Sequence, residues 1–382
     1  MEDAFFSITS YLQNLFISRL STFPVFIIIP LIVLVFSVIG ILEVYIYIAV
    51  TRVTAFYKRT REANLKDRII AMLANVLVFS DIDDPQAIVA HFLPRFSRLP
   101  LYRGTIRRLL VSELLKSHSS FNGRAAEVIQ ELYLQLKLDR KARKNLSSRR
   151  WEEQIEAIRE LTEMSVKGES EKILKYTNDR NPSLRLEAQV SFIRLCIENP
   201  FRFMDFVCEP ILEWHQIVLF EVVTKTESMA RPRFAIWLNS KNDSVVSFCL
   251  KLIEYYQQFD AVPNLIYLIN HYNPVIREAA IDILGRMGAE VAESHLVRAY
   301  TDQPHQIQLK IINALGMIGS GKSISFLNSQ AKSEDFAIRL SAMRAIKAHR
   351  DDGPELLNKL FNDGVSQDRE IIELVLNERV IV

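Results

Sequence analysis

The stretch NPVIREAAIDILGRMGAEVAESHLVRAY, residues 273–300, determines the fold. It begins with Asn-Pro, and apolar residues then recur at i, i+3, i+4 and i+7, as they do along one side of a helix. An asparagine before the first apolar position is a typical helix N-cap. Glycines at 285 and 288 interrupt the run, and a shorter apolar run, VAESHLVRAY, follows. The stretch therefore predicts a helix, a turn and a second, shorter helix.

The same pattern returns about every 31 residues. Residues 304–330 read PHQIQLKIINALGMIGSGKSISFLNSQ, and residues 334–361 read EDFAIRLSAMRAIKAHRDDGPELLNKLF. In this register Gly285 falls on Gly316. A second position is aligned across three copies: Arg277, Gln308 and Arg339. Earlier copies start near Phe121, Arg150, Asn181, Glu213 and Asn242.

About eight repeats therefore cover residues 121–382. Helix–turn–helix repeats at a fixed period stack side by side, because neither helix can bury its apolar stripe alone. Glycine and proline are scarce, with 11 and 13 in 382 residues, which also favours long helical stretches. The predicted fold is all-α, an α-solenoid of HEAT-like helical repeats preceded by one N-terminal transmembrane helix.

The first helix of the repeat resembles the compact HEAT repeat of bacteria, the type found in phycobilin lyases. In that family the first helix carries the pattern V-R-x-x-A-x-x-A-L-G. The corresponding places here hold Val275, Arg277, Ala280, Leu284 and Gly285, and the next copy repeats the ending at Leu315 and Gly316. The resemblance implies a scaffold with an extended binding surface. It does not imply lyase chemistry, because many non-catalytic proteins share the repeat.

An apolar segment near the start predicts a membrane span. Residues 24–49 read PVFIIIPLIVLVFSVIGILEVYIYIA, with Glu43 as the single charge. About 20 apolar residues suffice to cross the hydrocarbon core, so residues 23–50 are expected to lie in the lipid bilayer. Arg19 is the single basic residue before the span, whereas six cations follow it, at Arg52, Lys58, Arg59, Arg61, Lys66 and Arg68.

The positive-inside rule then places the N-terminus outside and the rest of the chain in the cytoplasm. We expect a single-pass protein of a bacterial inner membrane. The predicted organisation is an extracytoplasmic segment at 1–22, the span at 23–50, a juxtamembrane and irregular helical region at 51–120, and the solenoid at 121–382.

The stretch GMIGSGKS, residues 316–323, matches the phosphate-binding pattern G-x-x-x-x-G-K-[ST]. A nucleotide site here would use Gly316, Gly321, Lys322 and Ser323. A phosphate loop needs a strand before it, yet the apolar spacing of HQIQLKIINAL is helical. In the repeat register the glycines at 316 and 319 belong to the turn between paired helices. Nucleotide binding is therefore the less favoured alternative.

The densest basic stretch is KLDRKARKNLSSRRW, residues 137–151. Its cations are Lys137, Arg140, Lys141, Arg143, Lys144, Arg149 and Arg150. They form either a solvated turn between repeats or a patch for anionic lipid, nucleic acid or an acidic partner. The net charge of the chain is +2, so a nucleic-acid partner is not expected.

Short catalytic motifs such as H-E-x-x-H and G-x-S-x-G do not occur. The three cysteines, Cys196, Cys208 and Cys249, form no C-x-x-C pair and are expected to be small buried residues. No cofactor or metal is predicted. The sequence thus favours a membrane-anchored scaffold that is not an enzyme and whose cytoplasmic solenoid binds a protein partner, such as a membrane enzyme or transport complex.

Overall fold

The computed structural model describes residues 25–80, 84–226, 231–349, 353–363 and 366–377, and every regular element in these ranges is helical. The predicted extracytoplasmic segment 1–22 and the first two residues of the predicted span lie outside the described residues. The chain divides into an N-terminal unit, Met1–Leu136, and a C-terminal unit, Lys137–Val382.

The N-terminal unit is built on one very long helix. Helix α1, Val25–Val78, has 54 residues and is about 81 Å long. It joins the apolar segment and the basic segment after it without a break. The part from Ile32 onward contains a fully exposed apolar window that is long enough to cross a membrane by length and composition. The described residues of this unit form three other helices: α2, Pro85–Ser97; α3, Gly104–Ser120; and α4, Arg124–Gln135.

The last part of α1 packs against its own unit. Ile69, Leu73 and Val76 are buried at helical spacing and face α2, α3 and α4. The same helix is thus exposed and apolar at its beginning and amphipathic at its end. This difference separates a candidate membrane span from a packed helix.

The C-terminal unit confirms the predicted helical repeat. Its longer helices start at nearly constant intervals of 30 or 31 residues. They are α6, Trp151–Glu163; α8, Pro182–Leu195; α9, Glu213–Lys225; α10, Asp243–Tyr255; α12, Pro274–Arg286; α14, His305–Ile318; α16, Phe336–Ala348; and α18, Ser366–Asn377.

The second element of each repeat is short and variable. Helical second elements are α5, Asp139–Asn145; α7, Ser170–Leu174; α11, Val262–Leu268; α13, Glu293–Ala299; α15, Ile324–Gln330; and α17, Gly353–Asp363. In two repeats the second element is only a 3₁₀ turn, at Arg202–Asp205 and Phe234–Trp237.

Side-chain caps explain where several of the longer helices begin. The side chain of Asn181 accepts hydrogen bonds from the amides of Ser183 and Leu184, at 3.0 and 3.2 Å. Equivalent caps are formed by Asn242, Asn273 and Asp335. Because a cap satisfies amides that have no partner inside the helix, it fixes the first residue of the helix.

A second device ties six of the longer helices to the connection before them. Six side chains at the same register donate hydrogen bonds to main-chain carbonyls of the preceding connection. They are Gln154, Arg185, Gln216, Arg277, Gln308 and Arg339. These donors satisfy carbonyls left without partners where the preceding elements end.

The expectation of three buried cysteines holds for one of them. Cys249 is buried, and burial raises the pKa of its thiol. Cys196 is half-buried and Cys208 is exposed.

Candidate binding groove

A groove runs between α9 and α10. Its volume is about 530 Å³. Apolar side chains form most of its surface, and charged and amide side chains stand at its edge. The residues that line it are Gln216, Ile217, Phe220, Lys251, Glu254, Tyr255 and Gln257.

The groove exists because α9 and α10 pack less closely than the helices after them. Gly285 of α12 lies against Ala314 of α14, and a Cβ added to this glycine would be 2.8 Å from the Cα of Ala314. The places that correspond to these two residues in α9 and α10 are Thr224 and Leu252. Larger side chains at this crossing keep the two backbones apart.

Contacts across the groove hold its two sides in place. The ammonium group of Lys251 donates a hydrogen bond to the side-chain oxygen of Gln216, at 2.9 Å. The rings of Phe220 and Tyr255 meet edge to face, with centroids 5.1 Å apart. The hydroxyl of Tyr256 donates to the carbonyl of Val223, at 3.2 Å. These contacts define the width of the groove.

Exposed apolar side chains extend the groove along α9. Trp214 is 67% exposed and Ile217 is 56% exposed. With Phe220 they form a stripe at intervals of three residues, and Tyr255 faces it from α10 with 54% exposure. A contiguous apolar patch with a polar rim is typical of a surface that binds another molecule.

A larger and more polar depression lies beside the two 3₁₀ turns. Its volume is about 1010 Å³, and it is lined by residues 204–208, Pro210, residues 236–237, residues 239–243 and Tyr272. Several of its polar groups already have partners. The amide of Asn242 donates to the carbonyls of Val207 and Glu209, and the carboxylate of Asp243 accepts from Tyr272 and Asn273. The structure therefore uses these groups to join loops.

The residues of the phosphate-loop pattern have structural partners. Gly316 lies within α14, and a Cβ there would be 2.8 Å from the Cα of Ala345 on α16. This glycine serves close helix packing rather than the turn. Gly319 ends the helix with φ 62°, as predicted for the turn. The ammonium group of Lys322 pairs with Glu290, at 3.1 Å.

The loop amides that would face a phosphate are also occupied. The amide of Ser320 donates to the carboxylate of Glu293, at 3.3 Å, and the amide of Gly321 donates to Nδ1 of His349, at 3.2 Å. The segment before the loop is helical, so the strand–loop–helix cradle of a phosphate site is not formed.

A buried polar cluster lies under this loop, and the sequence patterns did not reveal it. Glu293, Ser323 and His349 are each at most 2% exposed. Oε2 of Glu293, Oγ of Ser323 and Nε2 of His349 are buried without a hydrogen-bond partner among the described residues. Burial lowers the pKa of His349, and the charge of Glu293 partly opposes this effect. The three residues come from three repeats, so no local motif could have identified them.

The basic stretch divides into structural and free cations. Arg143 binds Asp139 at 2.6 Å and the buried Glu169 at 2.5 Å, and Arg150 binds Glu153 at 3.2 Å. The remaining five cations are exposed and have no acidic partner in the part of the chain that the structure describes. They are Lys137, Arg140, Lys141, Lys144 and Arg149.

Comparison with known proteins identifies HEAT repeats. Residues 231–307 match the HEAT-repeat family. Bilin biosynthesis protein PecF of Nostoc sp. is 38% identical over 69 residues, which are 18% of this chain and 39% of that protein. The chain thus covers about two fifths of the length of this relative. It contains HEAT repeats, which form a helical scaffold for protein interaction, as the sequence pattern predicted.

Several solved structures align with this chain at low scores. Human deoxyhypusine hydroxylase covers 75% of this chain and 97% of its own, with 13% identity and a TM-score of 0.30. The CpcE–CpcF complex of phycocyanin lyase from Nostoc sp. covers 62% and 75%, with 17% identity and a TM-score of 0.22. Kap121p covers 81% of this chain and 37% of its own, with 15% identity and a TM-score of 0.34. Scores this low carry no argument about function.

The expectation that the chain is not an enzyme is wrong. The curated relative is named for a biosynthetic role, which points to enzymatic function. The expectation rested on missing short motifs. In a stack of repeats, however, side chains from separate repeats reach the same loop, as Glu293 and His349 do at the amides of Ser320 and Gly321. A catalytic set in such a fold need not form a local sequence motif.

Proposed function

We propose that this protein is a HEAT-repeat subunit that binds a partner protein in the α9–α10 groove and works in an enzymatic assembly. The proposed occupant of the groove is an amphipathic helix of the partner. The stripe of Trp214, Ile217 and the half-buried Phe220 carries the proposal, because these apolar side chains, three residues apart on α9, offer a surface to the apolar side of such a helix. At the edge of the groove, Lys251 offers a contact to an acidic group of the partner, and Glu254 offers one to a basic group.

We further propose that α1 holds the protein at a bacterial inner membrane, with the N-terminus outside. The fully exposed apolar window of α1 supports this placement, as do the cations that follow it in the same helix. Anchoring raises the effective concentration of the groove near partners that are themselves in the membrane.

Site-specific photocrosslinking tests the groove. A photoreactive amino acid at Ile217 or Tyr255, in full-length protein in native membranes, should capture a single partner. The crosslinked peptide of that partner should be an amphipathic helix. The matched control positions are Val275 and Met317, which are exposed apolar residues outside the groove.

The Trp214→Ala substitution should abolish the crosslinked product, because it removes the largest exposed side chain of the stripe. Equal crosslinking from the groove and from Val275 would reject the groove as the binding surface. Persistence of the product in the Trp214→Ala variant would reject the role of the stripe.

A second candidate follows from the relative that acts in bilin biosynthesis. The groove has the volume of a small-molecule site, and it sets the cation of Lys251 beside apolar and aromatic walls. This combination suits a bilin, whose apolar conjugated body carries carboxylates. Titration with biliverdin should change the pigment's absorption spectrum saturably if the groove binds it. The Ile217→Glu variant should lose the change, and a non-saturable change in both proteins would exclude this candidate.

A further inference from the structure

A second basic segment lies in the same unit as α1. Residues 95–108 read RFSRLPLYRGTIRR, with five arginines and no acidic residue. They cover the end of α2, the connection between α2 and α3, and the first turn of α3. Residues 137–151 carry more cations but include Asp139, whereas residues 95–108 contain no acidic residue.

Four of these arginines are free to bind an anion. Arg95, Arg98, Arg103 and Arg108 are exposed and form no ion pair within the described residues. The guanidinium groups of Arg95 and Arg103 lie 5.3 and 5.7 Å from the ring centroids of Phe92 and Tyr102. Such ring contacts orient the cations without neutralising them.

The connection between α2 and α3 is ordered and carries an exposed aromatic residue. The amide of Leu101 donates to the carbonyl of Leu99 at 2.8 Å, and the amide of Arg103 donates to the carbonyl of Pro100 at 3.0 Å. These hydrogen bonds hold Tyr102 outward, with 83% exposure. An exposed tyrosine among arginines is the composition of a membrane–water interface.

Chain direction places this connection near the membrane end of the unit. Short connections join α1 to α2 and α2 to α3, and short connections make neighbouring helices antiparallel. Two reversals orient α3 parallel to α1, so the start of α3 points toward the membrane. The ammonium group of Lys66 on α1 lies 3.8 Å from the carboxylate of Glu113 on α3.

The ion pair between Lys66 and Glu113 relates positions along α3 to positions along α1. Gly104 precedes Glu113 by nine residues, so the first turn of α3 lies about 14 Å closer to the membrane than Lys66 does. The first turn of α3 therefore lies toward the basic residues that follow the apolar segment of α1, which include Lys58 and Arg59.

We propose that the α2–α3 connection, through Arg98, Arg103 and Tyr102, binds the phosphates of anionic lipid headgroups. The proposal rests on the proposed membrane placement of α1. Each arginine at an anionic surface strengthens binding about fivefold, since it contributes about 1 kcal/mol. The long helix and the basic connection together give the unit two points of attachment, which fix its orientation on the bilayer.

Hydrogen–deuterium exchange in nanodiscs tests this proposal on the full chain. The protein is compared in discs of phosphatidylcholine alone and in discs that also contain phosphatidylglycerol. The amides of residues 98–104 should exchange more slowly with phosphatidylglycerol, and added salt should remove the difference. The Arg98→Glu/Arg103→Glu variant should lose it in low salt as well. Exchange of α3 reports whether this variant is folded.

The matched control is Lys141→Glu/Lys144→Glu on α5, which should retain the lipid-dependent protection. Equal exchange of residues 98–104 in both lipids would overturn the proposal. Loss of the protection in the control variant to the same extent would overturn it too. Exchange of residues 32–50 is a separate readout: protection there in both lipids supports the span, whereas free exchange there rejects the proposed placement of α1.

Discussion

At the scale of single residues, Gly285 and Gly316 have a role that their surrounding motif does not suggest. Both lie inside helices and face an alanine of the next repeat at a distance that leaves no room for a Cβ. Gly316, the first glycine of the phosphate-loop pattern, is thus part of a packing contact between helices. The period of 31 identified the equivalence of the two glycines, but only the structure identifies their neighbours.

The Gly316→Ala substitution should destabilise the C-terminal unit by about 1–3 kcal/mol, because the new methyl group would overlap the main chain of Ala345. Chemical denaturation of the full chain in detergent would measure the change. Gly168→Ala is the control, since nothing lies within 4 Å of a Cβ there and its backbone is not left-handed. A loss of stability in the control as large as in Gly316→Ala would contradict the packing explanation.

Stability should fall as the pH decreases from about 7 to about 5. Burial lowers the pKa values of His118, His215 and His349, so below the ordinary histidine pKa of 6.5 the folded protein binds fewer protons than the unfolded chain. When the unfolded state binds more protons, stability rises with pH and is lost on acidification. The charge of Glu293 moderates the effect at His349.

Thermal unfolding across this pH range measures the dependence. The His349→Gln variant should show a smaller slope than the natural protein. His295→Gln, which changes an exposed histidine on α13, is the matched control. An identical slope in the His349→Gln variant would exclude this histidine as a contributor.

At the scale of elements, the longer helices were predictable and the shorter ones were not. Helical periodicity and the polar residue before each apolar run predict where a longer helix starts, and Asn181, Asn242 and Asn273 act as the caps that the pattern indicated. The second elements depend on long-range packing instead. In two repeats they shrink to 3₁₀ turns around an aromatic core in which Phe201 and Phe234 meet at 5.1 Å.

The groove was equally hidden from sequence reasoning. The groove depends on Thr224 and Leu252, which occupy the crossing of α9 and α10 at the places where later repeats have glycine and alanine. Equivalent positions in different repeats can be assigned only when the first residue of each helix is known. In the sequence, the apolar residues that line the groove look like ordinary core residues. Only the exposure of Trp214 and Ile217 in the structure distinguishes the groove from a core.

The cap of α8 offers a direct test at this scale. Asn181→Ala should cost about 1 kcal/mol, because the amides of Ser183 and Leu184 lose their acceptor. Asn181→Ser retains an acceptor oxygen and should cost much less. Denaturation midpoints of the two variants would separate these outcomes, and equal losses would show that the side-chain oxygen does not cap the helix.

At the scale of the whole molecule, α1 combines two environments in one helix. Its early part is apolar and exposed, whereas Ile69, Leu73 and Val76 are buried in the N-terminal unit. Composition predicted the first property. The continuity of the helix to Val78 was not predicted, because the charged residues between 58 and 68 interrupt the apolar pattern without interrupting the helix.

Two charges placed in the apolar window should release the protein from membranes. Each lysine at a helix centre in the bilayer costs about 2.5–3.5 kcal/mol, so Val35→Lys/Ile39→Lys should shift the protein into the soluble or aggregated fraction after carbonate extraction. Ile70→Lys lies on the same helix outside the window and should leave the protein in the membrane fraction. Retention of the double variant would argue against a span.

The loose crossing of α9 and α10 also has a mechanical consequence. In a linear array each repeat is stabilised mainly by its neighbours, so cooperativity is interrupted where neighbour contacts are weakest. We expect two foldons, one ending with α9 and one beginning with α10, to open at different denaturant concentrations in native-state exchange. A partner that binds both helices would make the two foldons open in a single transition. Binding would then be measurable at amides far from the groove, as a change in the cooperativity of the array.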